Sequence, residues 1–220
     1  MEVTVLGDGF VRHTNTYGSE LDIVNAARVS FSKETELMQD ADIKLLKYLA
    51  KNKHMSPFRH CHISYHMKMP IFVMRQFVRH RVGIEINEMS GRYVEFEDDS
   101  FYLPRPFRLQ STNNKQGSAE DLNEEDNLVA LRLYADSCQI AFDTYKRLID
   151  MGVAKEMARM CLPLSLWTEI RVTMSLEAIA HFIRLREDGH AQYEIRKYSD
   201  AIKQIAMAEF PNALPTLLEN

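Results

Sequence analysis

The sequence predicts an α+β fold: one domain in which a mixed or antiparallel sheet packs against long helices. Two observations lead there. Stretches of period-two alternation stand between amphipathic helical stretches without a regular βαβ rhythm, and no Gly-rich dinucleotide fingerprint follows any strand. A chain of 220 residues, 45% of them apolar, can bury one substantial core, and its composition does not call for a second.

The elements follow in order. "EVTVLGDGFVRHTNTYG" alternates and is broken by Gly7 and Gly9, which predicts an edge strand or hairpin. "SELDIVNAARVSF" reads as a helix capped by Ser19, with Glu20 and Asp22 in its first turn and Leu21, Val24, Ala27 and Phe31 on one face. "DADIKLLKYLAKNK" repeats the pattern with a basic end. In "RHCHISYHMKM", His60, His62, Ser64 and His66 alternate with Cys61, Ile63, Tyr65 and Met67, the period of a strand. Pro70 suits a first helical position and launches "PIFVMRQFVRHR", which Gly83 stops. A Gly-containing loop is expected next. Residues 109–127, "LQSTNNKQGSAEDLNEEDN", have little to bury and read as a solvated insertion within the single domain 1–220. A long helix to about Ile149, a short one over "VAKEMARM", an extended "SLWTEIRVTM" and two further helices complete the chain.

Composition removes several functions. A formal net charge of −4 gives no bulk positive field to draw in nucleic acid. No segment approaches 18 uninterrupted apolar residues, and "MEVTVLGDGF" lacks a charged lead followed by an apolar run, so a cytoplasmic protein with no membrane partner is expected. Cys61, Cys138 and Cys161 are widely spaced and form no C-x-x-C pair, which argues against a disulfide framework or a structural zinc site. They read as small apolar fillers.

Chemistry concentrates in "RHRVGIEINEMSGRY", residues 79–93. On a helix from Pro70, Arg75, Gln76, Arg79 and His80 share one polar face. Basic residues in a last turn are favoured by the helix dipole by about 0.3–1 kcal/mol each, which accounts for them without any ligand. The chain continues, however, with Asn87, Glu88, Ser90 and Arg92: an amide, a carboxylate, a hydroxyl and a forked cation within six residues. Such mixed donors suit a phosphate and a heterocycle together. A metal site is the rival, but His60 and His66 on one strand stand about 20 Å apart, too far for one zinc ion to reach both along with His62. Ser90 lacks a G-x-S-x-G elbow, and spacing assigns it no base.

These residues resemble the signature of the flavin-dependent thymidylate synthases: Arg-His-Arg, an intervening segment, then Ser-x-Arg-Tyr. The resemblance runs through "AARVSF" (26–31), "HMSPFRH" (54–60), "PIFVMRQFVRHR" (70–81), "AKEMARMCLPLSLWT" (154–168) and "FIRLREDGHAQYEI" (182–195) in matching order. It implies a homotetramer with active sites shared between subunits. It also implies methylation of dUMP to dTMP, with methylenetetrahydrofolate as carbon donor and FAD, reduced by NADPH, as hydride carrier. By the resemblance, Gln76, Arg79, Glu88, Met89, Ser90, Gly91, Arg92, Arg159 and Arg186 fall on dUMP-binding positions, with Arg186 on the residue thought to polarise the uracil ring. Ser30, His54, Ser56, Arg79, His80, Arg81, Glu88, Ser175, His181 and His190 fall on FAD-contacting positions. No metal is implied, and no enzyme cysteine attacks the pyrimidine.

The chain departs from the family's pattern in several places, His181 among them, where the pattern has an amide. Eight residues separate Arg81 from Ser90, one more than the pattern has. Arg59 stands where an acid is frequent, and Ser175 with Glu177 replaces an Asn-x-Arg pair. Ser175 equally suits a helix N-cap. Two alternatives stand beside the main reading: flavin- and folate-dependent modification of another pyrimidine nucleotide, including hydroxymethylation, or a non-catalytic nucleotide- or metal-binding protein.

Overall fold

The computed structural model describes residues 1–96 and 101–219. β1 (Glu2–Val5) and β2 (Gly9–Tyr17) form the expected hairpin, with Gly7 left-handed in its turn at φ 86°. α1 (Glu20–Arg28) opens on a capping box in which Ser19 and Asp22 satisfy each other's backbone N–H groups. Its buried face is Ile23 and Val24, whereas Phe31 is 76% exposed. The chain tightens into a 3-10 turn at Val29–Phe31, so the helical phase that would carry Phe31 inward is lost. α2 (Asp40–Lys51) precedes a 3-10 segment, Ser56–His60, and β3 (His62–Pro70).

α3 (Ile71–Phe77) is shorter than the sequence predicts. Arg79 N and His80 N donate to Gln76 and Phe77 carbonyls, a three-residue step that ends the α-helix. Arg79, His80 and Arg81 therefore lie on a turn, and Pro70 is the N-cap rather than the first helical residue. The expected loop contains β4 (Ile84–Glu88), whose Ile84 and Ile86 alternate with Glu85 and Asn87. The solvated insertion likewise holds a small hairpin, β5 (Arg108–Gln110) with β6 (Ser118–Asp121). Then come α4 (Glu124–Asp150), capped by Asn123, α5 (Lys155–Ala158) and a 3-10 turn at Arg159–Cys161. β7 (Trp167–Ser175), α6 (Leu176–Arg186), α7 (Tyr193–Glu209) and a further helix, α8 (Ala213–Leu218), close the chain.

The main sheet has the order β1-β2-β3-β7-β4, antiparallel at every pairing. On one face Ile63, Tyr65, Met67, Ile170, Val172 and Met174 are buried against α6 and α7. Each such large apolar side chain contributes about 1.5–3 kcal/mol by leaving water. The other face is polar: Ser64 meets Thr173 at 2.6 Å, and His66 Nε2 lies 2.6 Å from Glu169. A smaller apolar cluster of Phe142, Tyr145 and Ala158, joined by Phe96 and Leu162, sits under α4 and supports the wall of the site described next.

Candidate active site

β4 ends where the chain turns from sheet to loop. Pairing of Glu88 with Ile170 fixes that end, and Thr168 Oγ1 donates to Glu88 Oε1 at 2.8 Å while Met89 N donates to the Glu169 carbonyl at 2.9 Å. Tyr93 N and Val94 N then fold back onto the Ser90 carbonyl. Gly91 lets the Phe96 ring and Arg159 close in, because a Cβ there would stand 2.5 Å from the ring and 3.2 Å from Arg159 Cδ and would displace them. The result is a cavity of about 310 Å³ in which Glu88, Met89, Ser90, Gly91 and Arg159 meet, with Phe96, Leu162 and Leu164 supplying apolar wall. Arg92, predicted to join them, points to α5, with Nε 3.4 Å from Glu156.

A second group forms where α3 and α6 end. Arg186 Nε donates to His80 Nε2 at 3.0 Å, and its Nη2 donates to the Gln76 carbonyl at 3.2 Å. His80 Nε2 is therefore an acceptor, and the ring proton sits on Nδ1. Burial, then the Arg186 charge, then His181 push the His80 pKa down to about 4, so the imidazole is neutral near pH 7. The Phe182 ring lies edge-on at 4.9 Å and His181 at 6.2 Å. Arg79 and Arg81 are exposed, and among the described residues neither makes an ion pair. None of Gln76, Arg79 or Arg186 lines the Glu88–Arg159 cavity.

A third group gathers at the start of α6. Ser175 is buried and its Oγ accepts from Ala178 N at 3.2 Å, so the hydroxyl is committed to capping. Gly83, left-handed at φ 71°, packs so closely that a Cβ there would stand 2.5 Å from Ser175 Oγ. Glu177 is held by Arg59, which donates through both Nε and Nη2, the latter at 3.1 Å. The two departures in charge are thus one ion pair. Ser56 begins the 3-10 segment that carries Arg59, His54 lies edge-on to Tyr48 at 6.1 Å, and Ser30 is exposed after α1. His190 is exposed and bonded to Asp188, and both line a hollow of about 350 Å³ with Arg186.

Residues 11–212 match the family model described as thymidylate synthase complementing protein. The chain belongs to that family. Relatives bearing the name flavin-dependent thymidylate synthase occur in Kosmotoga olearia, 42% identical over 96% of this chain and 90% of that protein, and in Thermus thermophilus, 42% identical over 97% and 77%. Among solved structures, a UMP/dUMP methylase from Streptomyces cacaoi bound with 5-Br dUMP superposes with a TM-score of 0.86 at 29% identity, covering 96% of this chain and 95% of that one.

Within this family fold, most of the residues taken from the resemblance separate into the cavity, the α3–α6 ledge and the α6 start, while Arg92, Ser30 and His54 lie in none of the three. Sequence reasoning missed Thr168, which orients the Glu88 carboxylate. Only its place on an alternating strand beside Trp167 hinted that it faces inward, and its partner lies 80 residues away. The segment between Arg81 and Ser90 forms the Gly83 turn and β4, where Ile84 is buried against the core.

Proposed function

We propose that this protein methylates C5 of dUMP to give dTMP, taking the one-carbon unit from methylenetetrahydrofolate and the hydride from FAD that NADPH has reduced. The observation that carries the reading is the Arg186–His80 pair. A guanidinium fixed by a neutral imidazole and a backbone carbonyl, on a partly buried ledge, is built to stabilise negative charge developing on a pyrimidine ring. Ser90, Gly91 and Arg159 suit the nucleotide phosphate: a tight backbone turn with a forked cation above it. Glu88, tied to Thr168, orients the same wall.

The donor set fits a flavin diphosphate. Arg79 and Arg81 offer forked donors without ion-pair partners among the described residues, and Arg59 neutralises Glu177 so that it does not repel an anion. His54, Ser56, His181 and His190 would complete the contacts, and a bound FAD supplies the hydride. The thiols are otherwise engaged. Burial, with Asp22 and Glu20 nearby, pushes Cys61 up to about 12; Cys138 is buried, and Cys161 Sγ donates to the Ala158 carbonyl at 3.2 Å.

The same geometry supports a homotetramer. Gln76, Arg79 and Arg186 do not line the Glu88–Arg159 cavity, which fits sites completed by a second copy, and exposed Val129, Leu133 and Ile140 on α4 offer apolar surface for assembly. A different acceptor is the second reading, favoured by the likeness to the Streptomyces cacaoi UMP/dUMP methylase. An anaerobic assay with NADPH, FAD and methylenetetrahydrofolate, run in parallel on dUMP, UMP and dCMP, tests both. Formation of dTMP that requires all three additions is expected; a flavin-loaded protein that yields no methylated nucleotide would overturn the proposal.

A further inference from the structure

Glu194, in the first turn of α7, is only 2% exposed, yet both of its oxygens are bonded. Oε1 accepts from Arg108 Nη2 at 2.7 Å and from the Tyr102 hydroxyl at 3.2 Å, and Oε2 accepts from Gln192 Nε2 at 2.9 Å. Burial and Glu194 push the Tyr102 pKa up, which keeps its hydroxyl a donor. Gln192 Oε1 in turn accepts from Gln76 Nε2 at 2.7 Å.

The order of donors along this chain is forced. A carboxylate beside a guanidinium only accepts, so Gln192 must turn its NH2 end to Glu194 and its carbonyl to Gln76. Gln76 must then turn its own NH2 end to Gln192. Flipping Gln192 would set its oxygen against the buried Glu194 carboxylate, and flipping Gln76 would set oxygen against oxygen at the more exposed end of the chain of bonds. The buried charge thus fixes, two side chains away, which end of Gln76 is left over.

We infer that Glu194 and Gln192 are positioning residues that set the polarity of the Gln76 amide, leaving its carbonyl oxygen as the acceptor offered to a nucleotide N–H or O–H donor. The inference rests on the reading above that Gln76 meets the nucleotide. It also gives the β5–β6 hairpin a part in the site, since Arg108, on β5, anchors Glu194 and is itself tied to Ser118 at 2.9 Å.

The test is a double-mutant cycle on dUMP binding with the full-length, flavin-loaded protein. Gln76→Glu presents only acceptors and so opposes Gln192 Oε1; in a Glu194→Gln background Gln192 is free to turn over and meet it. Glu194→Gln is expected to recover about fivefold or more of the affinity that Gln76→Glu loses, a normal coupling within one hydrogen-bond network. Strict additivity of the two substitutions would overturn the inference. Should Glu194→Gln fail to fold, Gln192→Met removes the link while leaving Glu194 charged and paired with Arg108, at the loss of one hydrogen bond to Oε2. It should raise KM for dUMP about tenfold with kcat held, and an unchanged KM would count against the relay. Side-chain amide exchange in protein labelled with 15N-glutamine reads the relay with no substrate present: Gln76 should exchange slowly in the wild type and fast in Gln192→Met. Equal exchange rates would overturn the relay, whereas slow exchange in a protein that fails to bind dUMP would overturn only the functional reading.

Discussion

His80 carries the residue-scale argument, because one imidazole decides how Arg186 is held. Its folded pKa, about 4, lies below the ordinary histidine value of 6.5, chiefly through burial. The unfolded chain therefore takes up this proton first as the solution is acidified. Stability from this group is complete above about pH 6.5 and is lost as pH falls toward about 4. Urea unfolding at pH 7 and pH 4.5 checks it: the acid loss should be smaller in His80→Gln, which cannot take up a proton. Turnover of the folded enzyme should fall only as the pH nears about 4, since a protonated His80 no longer accepts from Arg186 and stands as a cation beside it.

At the scale of elements, the start of α6 shows two substitutions acting as one. Arg59 sits on a 3-10 segment and Glu177 on the first turn of a helix, where an acid also gains from the helix dipole. The Arg59 side chain is 59% exposed, so solvent screens the pair and it adds little to stability. Its effect on an anionic cofactor is larger. Arg59→Glu would set two carboxylates side by side and should lower FAD occupancy, while Arg59→Glu combined with Glu177→Arg should restore it. Flavin absorbance per chain after gel filtration measures this, and a double variant as empty as the single one would refute the coupling. The short α3 and the strand β4 belong to this scale too. α3 ends on its own tightened turn, whereas β4 depends on pairing with β7, which carries Glu88 to the cavity rather than leaving it in a loop.

The whole molecule presents a cavity lined by Arg159 and, apart from its lining, a ledge that holds Arg186. If each site takes Arg159 from one subunit and Arg186 from another, Arg159→Ala and Arg186→Ala should each lower turnover about 10²–10³-fold. Co-expressed in equal amounts, the two inactive chains should recover about a quarter of wild-type activity through sites that receive both intact arginines. Recovery no greater than the sum of the separate variants would place both residues in one chain's site.

Local signals were legible because they involve neighbours a few residues apart. The Ser19 cap, the period-two run that became β3 and the long helix that ends near Ile149 all follow from side chains within one turn or one pleat, whereas the start of α4 fell inside the expected insertion. The family signature was legible for the same reason. Where helices stop was less so: α3 ends at Phe77 because its last turn tightens, a choice that propensity does not announce. Tertiary structure alone brought Arg59 to Glu177 across 118 residues, Gln76 to Gln192 across 116 and Thr168 to Glu88 across 80. Those contacts depend on sheet order and register, which many weak burial terms fix together and no short stretch of sequence encodes.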